Sequence, residues 1–263
     1  MTEKPLQSGQ VGDGVIPERP VVGAAPTGAD DEASAAVAVR EMFSTIAPRY
    51  DLLNHVLSMN VDRLWWNRTA RTFRTILSKP NARVLDLCCG TGDMTFALYH
   101  RMKSRSAELI GADFAHPMLV RATQKSTGKP IRWVEADALN LPFASGGFDL
   151  VTAAFGFRNL ANYDRGLAEI FRILASNGEV GILDFGEPKG VLGSFYRMYF
   201  RHVLPAIGTV ISGVRGPYAY LPKSVERFPA PEEMLQRMRN AGFTEVSWTP
   251  YTFGIAGLYR GRK

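Results

Sequence analysis

The stretch VLDLCCGTGDMT, residues 84–95, joins a short apolar run to a helix-forming one through Gly90-Thr91-Gly92. Glycines at such a junction let the backbone approach a ligand closely, and the free amides of the helix start favour polar or anionic groups. Asp86 lies just before the turn, and Asp113 ends the next apolar run. An acid at that distance from the glycines can accept from both hydroxyls of a ribose. Asp137 and Ala138 close the third run. There a carboxylate can take the exocyclic amine of adenine and a backbone amide can donate to a ring nitrogen. The pattern points to a nucleoside cofactor.

A dinucleotide would need a third glycine to admit its pyrophosphate, and that position is Thr95. S-adenosylmethionine fits better: it has no phosphate and needs a turn for its amino-acid part, an acid for its ribose and polar groups for adenine. Asp86 can hold the methionine ammonium, directly or through water, or serve the turn as a hydrogen-bond acceptor. No clustered His/Cys spacing suggests a metal.

These residues must be held by strands and helices in alternation. The apolar runs 83–89, 107–113, 131–137, 148–157 and 179–185 are separated by helical stretches at about 93–103, 116–126 and 162–174. Buried runs with crossover helices predict an α/β fold, a mostly parallel sheet covered on both faces. PAPEEMLQRMRNAGF predicts a proline-initiated helix ended by Gly242, and the last residues predict two strands joined around Pro250, forming an antiparallel edge. Upstream, helices are expected from about Ser34 and over about 61–77. Residues 1–34, with five glycines, four prolines and no hydrophobic period, read as a disordered tail. The division is thus a tail (1–34), an N-terminal helical segment over the site (35–80), and a cofactor domain (81–263) with an apolar and basic insertion at 186–229.

With 263 residues, 46% hydrophobic and 21% charged, the chain has the balance of a globular protein and enough length for a large core. No apolar run approaches the ~18 residues that cross a bilayer. Cys88 and Cys89 are adjacent, so no disulfide framework and a reducing, cytoplasmic setting are expected.

Several separated segments, in order, resemble the ubiquinone/menaquinone biosynthesis C-methyltransferase family (UbiE/MenG) of class I, Rossmann-like methyltransferases. They are FSTIAPRYDLLNHVLSMNVDRLW (43–65), CCGTGD, EADALNLPF (135–143), FGFRNL (155–160), HVLP (202–205), YAYLPKSVERFP (218–229) and GIAGLYRG (254–261). The resemblance implies a seven-stranded sheet, cofactor contacts at Thr91, Asp113, Asp137 and Ala138, and methylation of a ring carbon on a reduced polyprenyl quinone. The CCGTGD form leans towards demethylmenaquinol; a benzoquinol of the ubiquinone pathway is the alternative. Arg158 and Asn159 are placed to hold the quinol oxygens, Asp51 and His202 are candidate bases, and Tyr50 accompanies Asp51. Three departures stand out: Asp62 replaces a histidine, Ala154 replaces a cofactor-binding serine of some members, and Asp184-Phe185-Gly186 replaces Glu-x-Ser. The last is expected to alter a turn more than the chemistry.

Net charge is +6 while the first 34 residues are acidic, so the body is more basic than the total. A basic body admits nucleic acid or an anionic membrane surface. Residues 189–227 mix many apolar side chains with Lys189, Arg197, Arg201, Arg215, Lys223 and Arg227 against Glu226 alone, which favours peripheral membrane contact on the inner face of the cytoplasmic membrane. A nucleic-acid methyltransferase would carry an Asn/Asp-Pro-Pro-aromatic motif after the fourth strand, where this chain has AFGFRN. A non-catalytic cofactor-binding subunit is a further alternative, and homo-oligomerisation is left open.

Overall fold

The computed structural model describes residues 21–24, 26, 28–49, 60–104, 106–186, 188 and 217–263. Seven strands form one sheet: β1 (Arg83–Leu87), β2 (Glu108–Asp113), β3 (Ile131–Glu135), β4 (Phe148–Ala154), β5 (Leu174–Phe185), β6 (Thr244–Tyr251) and β7 (Ala256–Arg262). Their order is β3-β2-β1-β4-β5-β7-β6. Neighbours from β3 to β5 are parallel, and β7 runs antiparallel to both β5 and β6. The mostly parallel sheet with an antiparallel element at one side is therefore as the sequence predicts.

The helices are α1 (Glu32–Ile46), α2 (Val61–Thr72), α3 (Arg74–Leu77), α4 (Asp93–Tyr99), α5 (His116–Lys125), α6 (Tyr163–Ile173), α7 (Pro217–Arg227) and α8 (Pro231–Asn240). Because strand side chains alternate between faces, neighbouring residues feed different cores. Leu85, Ile110, Val151 and Ile182 join Leu167 and Ile170 of α6 and Met234 of α8 on one face. Val84, Leu109, Leu150 and Leu183 meet Trp65 and Trp66 of α2, Leu77 of α3 and Leu98 of α4 on the other. Each fully buried aliphatic side chain contributes about 1.5–3 kcal/mol.

Two sequence boundaries move. Order begins before residue 34: Asp31 caps α1 by accepting from Ser34 N at 2.7 Å while Ser34 Oγ accepts from Asp31 N. Gly23 and Ala24 donate to the carbonyls of Ala161 and Leu160, so this stretch is held by backbone pairing that composition does not reveal. The β6–β7 turn is Thr252–Gly254, not Pro250. Pro250 fits within β6 because that strand is the sheet edge, where one side needs no amide.

Candidate active site

Strand order reverses between β1 and β4, and ligands of such sheets bind at the carboxyl ends of the strands flanking that point. A cleft lies there. Leu87, Cys88 and Gly90 line it from β1, Asp113 and Phe114 from β2, Asp137 and Ala138 after β3, and Ala154, Phe155 and Asn159 from the end of β4. Gly90, Asp113, Asp137, Ala138 and Asn159 are thus brought together as the sequence anticipates. Ala154 faces the cleft without a hydroxyl, so the hydrogen bond that a serine would give is missing.

Backbone geometry explains the turn. Gly90 has φ 55° and Gly92 φ 92°, in the left-handed region glycine tolerates. Gly90 N donates to Asp113 Oδ2 at 2.8 Å and Ala115 N donates to Oδ1 at 2.9 Å. Asp113 is thereby fixed with each oxygen retaining a lone pair, and burial pushes its carboxyl above the ordinary range. Gly92 has a further constraint: a Cβ there would lie 2.6 Å from Trp133 Cη2. Its hydrogen is needed by the packing of β3 beneath the turn. Thr91 is buried, and its hydroxyl accepts from Lys125 Nζ at 3.2 Å; its side chain does not line the cleft.

Asp86 is fully buried and accepts from Thr95 Oγ1 at 2.5 Å and Thr152 Oγ1 at 2.7 Å. The threonine that spoils a dinucleotide pattern therefore has its own task, holding this carboxyl behind the turn. Burial pushes the Asp86 carboxyl up from 3.8 to about 7, with the charge of Asp113 adding to the rise. A raised folded value means the native protein keeps a proton that the unfolded chain releases. The stability this gives is full below about pH 4 and is lost as pH rises through about 7. Asp86→Asn, which mimics the protonated acid, has no such dependence. In urea unfolding across that window, the stability of wild type relative to Asp86→Asn should fall with rising pH, by up to ~4 kcal/mol; parallel curves would contradict the assignment.

Arg158 and Asn159 sit in the short 3₁₀ turn Phe157–Asn159 after β4, both buried. Arg158 Nη1 donates to Asp184 Oδ1 at 2.8 Å and to Phe155 O, and Arg158 N donates to Asp184 Oδ2 at 3.1 Å. Asp184 also accepts from Phe185 N at 2.9 Å. Asp184 thus does more than shape a turn: it is the counter-charge of a buried arginine. The acid stands at the end of β5, but its partner lies 26 residues away, in the turn that follows the neighbouring strand β4. Arg158 Nε, Asn159 Oδ1 and Tyr220 Oη on α7 are buried without a hydrogen-bond partner among the described residues. Buried polar atoms are nearly always satisfied, and of these three residues Asn159 lines the cleft. Burial pushes the Tyr220 hydroxyl up to about 12, and Arg158 and Asp184 act on it electrostatically.

Helix α1 closes one side of the cleft through Ala36 and Phe43. Ionic contacts fasten it at two points. The buried Glu32 accepts from Asn162 Nδ2 and Arg165 Nη1, both at 2.6 Å, and Arg40 donates to Phe114 O and Glu135 Oε1 at 2.7 and 2.8 Å. Neither clamp carries a sequence signal, because each joins segments more than 70 residues apart. The acids gathered here set the local field. Burial and the charges of Asp113, Asp86, Asp137 and Asp184 all push the Cys88 thiol well up. Cys88 is therefore a protonated wall, and the same field favours a cationic guest. Tyr50, Asp51, His202 and residues 189–216 of the insertion lie outside the described residues. Asp62 is buried in α2 and its Oδ1 accepts from Arg63 N.

The sequence profile of the ubiE/COQ5 methyltransferase family matches residues 29–263. A demethylmenaquinone methyltransferase of Thermus thermophilus is 50% identical over 223 residues, 84% of this chain and 99% of that protein. One of Deinococcus radiodurans is 48% identical over 229 residues, 86% and 92% of the two chains. A mitochondrial 2-methoxy-6-polyprenyl-1,4-benzoquinol methylase of Caenorhabditis elegans is 34% identical over 239 residues, 89% and 82%. Among solved structures, an SAM-dependent methyltransferase of Thermotoga maritima superposes with a TM-score of 0.60 at 19% identity over 85% of this chain and 99% of that one. The cyclase SpnF reaches 0.62 at 17% identity over 86% and 95%. These last two share the fold alone. A profile match over residues 29–263, with relatives about half identical over nearly their whole length, makes this protein a member of the ubiE/COQ5 methyltransferase family.

Proposed function

We propose that the protein transfers a methyl group from S-adenosylmethionine to a ring carbon of demethylmenaquinol. The observation that carries this reading is the convergence of Asp113, Asp137, Ala138 and Asn159 on one cleft at the switch point, in a chain half identical to demethylmenaquinone methyltransferases. The bound cofactor supplies an already electrophilic methyl, so the protein must align it and make the ring carbon nucleophilic. In this reading Asp113 accepts from the ribose hydroxyls, Asp137 accepts from the adenine amine, and Ala138 N donates to its ring. Gly90, Thr91 and Gly92 shape the turn, with Asp86 as its support.

The orphaned Asn159 Oδ1 can accept from a quinol hydroxyl, and Arg158 Nε can donate to a quinol oxygen as charge builds on it. Such a donor, fixed beforehand by Asp184 and Phe155, needs no reorganisation when the phenolate forms. Asp51 or His202 is proposed to remove the phenolic proton, with Tyr50 beside the former. Among the described residues no group of His, Cys, Asp and Glu is arranged to hold a metal. No described helix is long and apolar enough to cross a membrane. The basic, apolar insertion supports peripheral contact with an anionic membrane on the cytoplasmic side.

A benzoquinol acceptor is the second reading, favoured by the name of the nematode relative. Competition separates the two. Given equal amounts of a reduced demethylnaphthoquinol and a demethyl-benzoquinol with matched isoprenoid tails, the enzyme should consume the naphthoquinol first; preferential use of the benzoquinol would reverse the assignment.

A further inference from the structure

Two large apolar side chains stand out in solvent at the same corner of the molecule. Phe253 is 81% exposed and Leu64 is 68% exposed. Each adjoins one member of a hydrogen-bonded pair, since Trp65 Nε1 donates to Thr252 Oγ1 at 2.8 Å. The turn bearing Phe253 is strained: Thr252, Phe253 and Gly254 have φ of 43°, 58° and 90°. Non-glycine residues in this region cost ~1–2 kcal/mol each and persist only where the surroundings impose them. Here the Trp65 contact and the bond from Gly186 N to Ile255 O at 2.9 Å hold the turn from both sides. The strain displays a phenylalanine to water, which stability alone does not reward.

The exposed charges of α2 have one sign. Residues 64, 68 and 71 of α2 fall at i, i+4 and i+7, so Leu64, Arg68 and Arg71 share one face. Arg63, Arg68 and Arg71 are exposed, whereas the only acid of α2, Asp62, is buried. Arg68 also lies over the Tyr251 ring at 4.1 Å, at the base of the strained turn. Behind the corner an aromatic series leads inward. The Trp65 ring is 5.8 Å from Phe155 and 6.2 Å from Phe185, Phe155 and Phe185 are 4.6 Å apart, and Phe155 lines the cleft.

We infer that α2 and the β6–β7 turn form a membrane-docking edge, on which Phe253 and Leu64 enter the acyl boundary of an anionic leaflet while Arg63, Arg68 and Arg71 meet its phosphates. The series Trp65–Phe185–Phe155 ties that edge to the cleft wall by aromatic packing. Exposed apolar residues beside the exposed arginines of α2 complement lipid headgroups, an anionic partner. The docking edge deepens the membrane contact proposed above and does not depend on which quinol is methylated.

The test is sedimentation of the full-length protein with vesicles of phosphatidylcholine alone and of phosphatidylcholine mixed with phosphatidylglycerol, at low and high salt. Wild type should bind the mixed vesicles and lose most of that binding in high salt. Leu64→Ser with Phe253→Ser should weaken binding roughly tenfold or more, and Arg63→Gln with Arg71→Gln should flatten the salt dependence. Methylation of a tail-less demethylnaphthoquinol by the Leu64→Ser/Phe253→Ser protein should match wild type. Undiminished vesicle binding by that variant, or none by wild type, would overturn the docking edge. Loss of methylation by wild type itself would instead strike the substrate assignment.

Discussion

Replacing Asp113 by alanine is expected to weaken S-adenosylmethionine binding by at least two orders of magnitude. The side chain holds Gly90 N and Ala115 N on its two oxygens at 2.8 and 2.9 Å and faces the cleft. A hydrogen bond to a charged group contributes ~1.5–3 kcal/mol, so losing the two proposed from the ribose costs ~3–6 kcal/mol, or roughly 10²- to 10⁴-fold. The same change leaves two backbone amides without acceptors, so a moderate fall in stability should accompany it. Asp113→Asn keeps one acceptor and should lose less of both. Calorimetric titration with the cofactor, on protein shown to be folded by circular dichroism, measures the effect; wild-type affinity in the alanine variant would remove Asp113 from the site.

The second large effect concerns the buried ion pair at the turn after β4. Asp184→Ala leaves the Arg158 guanidinium buried with its counter-charge gone, since Arg158 is 6% and Asp184 0% exposed. Removing one member of a buried pair costs ~3–5 kcal/mol, whereas replacing both by apolar residues is often neutral. Asp184→Ala should therefore lower the midpoint of urea unfolding sharply, and Arg158→Met with Asp184→Leu should recover much of it. Methylation should remain absent in the recovered double variant, because the orphaned Arg158 Nε is lost with the side chain. Activity restored together with stability would reduce Arg158 to a purely structural residue.

How much the sequence discloses follows from how local each requirement is. The β1 turn, Asp113 and the strand pattern are legible because a buried strand, a tight turn and a helix start all act within a few residues. The parallel sheet follows from crossover helices of readable period. What escapes are pairings across the fold. Asp184 gains its meaning only beside Arg158, in the turn after β4. Gly92 owes part of its identity to Trp133, 41 positions on, whose ring fills the space a Cβ would need. Glu32, counted in an acidic tail, is buried against Asn162 and Arg165 and fixes the helix that covers the cleft. Thr95 reads as a missing glycine until Asp86 is seen to need its hydroxyl.

Charge follows the same course. The basic body is legible as a sum, but its division between an acid-lined cleft and an arginine-bearing outer edge depends on which side chains the fold buries. A field that favours a cation inside and an anionic surface outside suits a sulfonium donor and a lipid-borne acceptor together.

The most direct measurement is mass spectrometry of a reduced demethylnaphthoquinol incubated with the enzyme and S-adenosylmethionine carrying a deuterated methyl group. One labelled methyl is expected on a ring carbon, and this product should be absent when Asp113→Ala replaces the wild type. A quinol recovered without label, or with label on oxygen, would contradict carbon methylation.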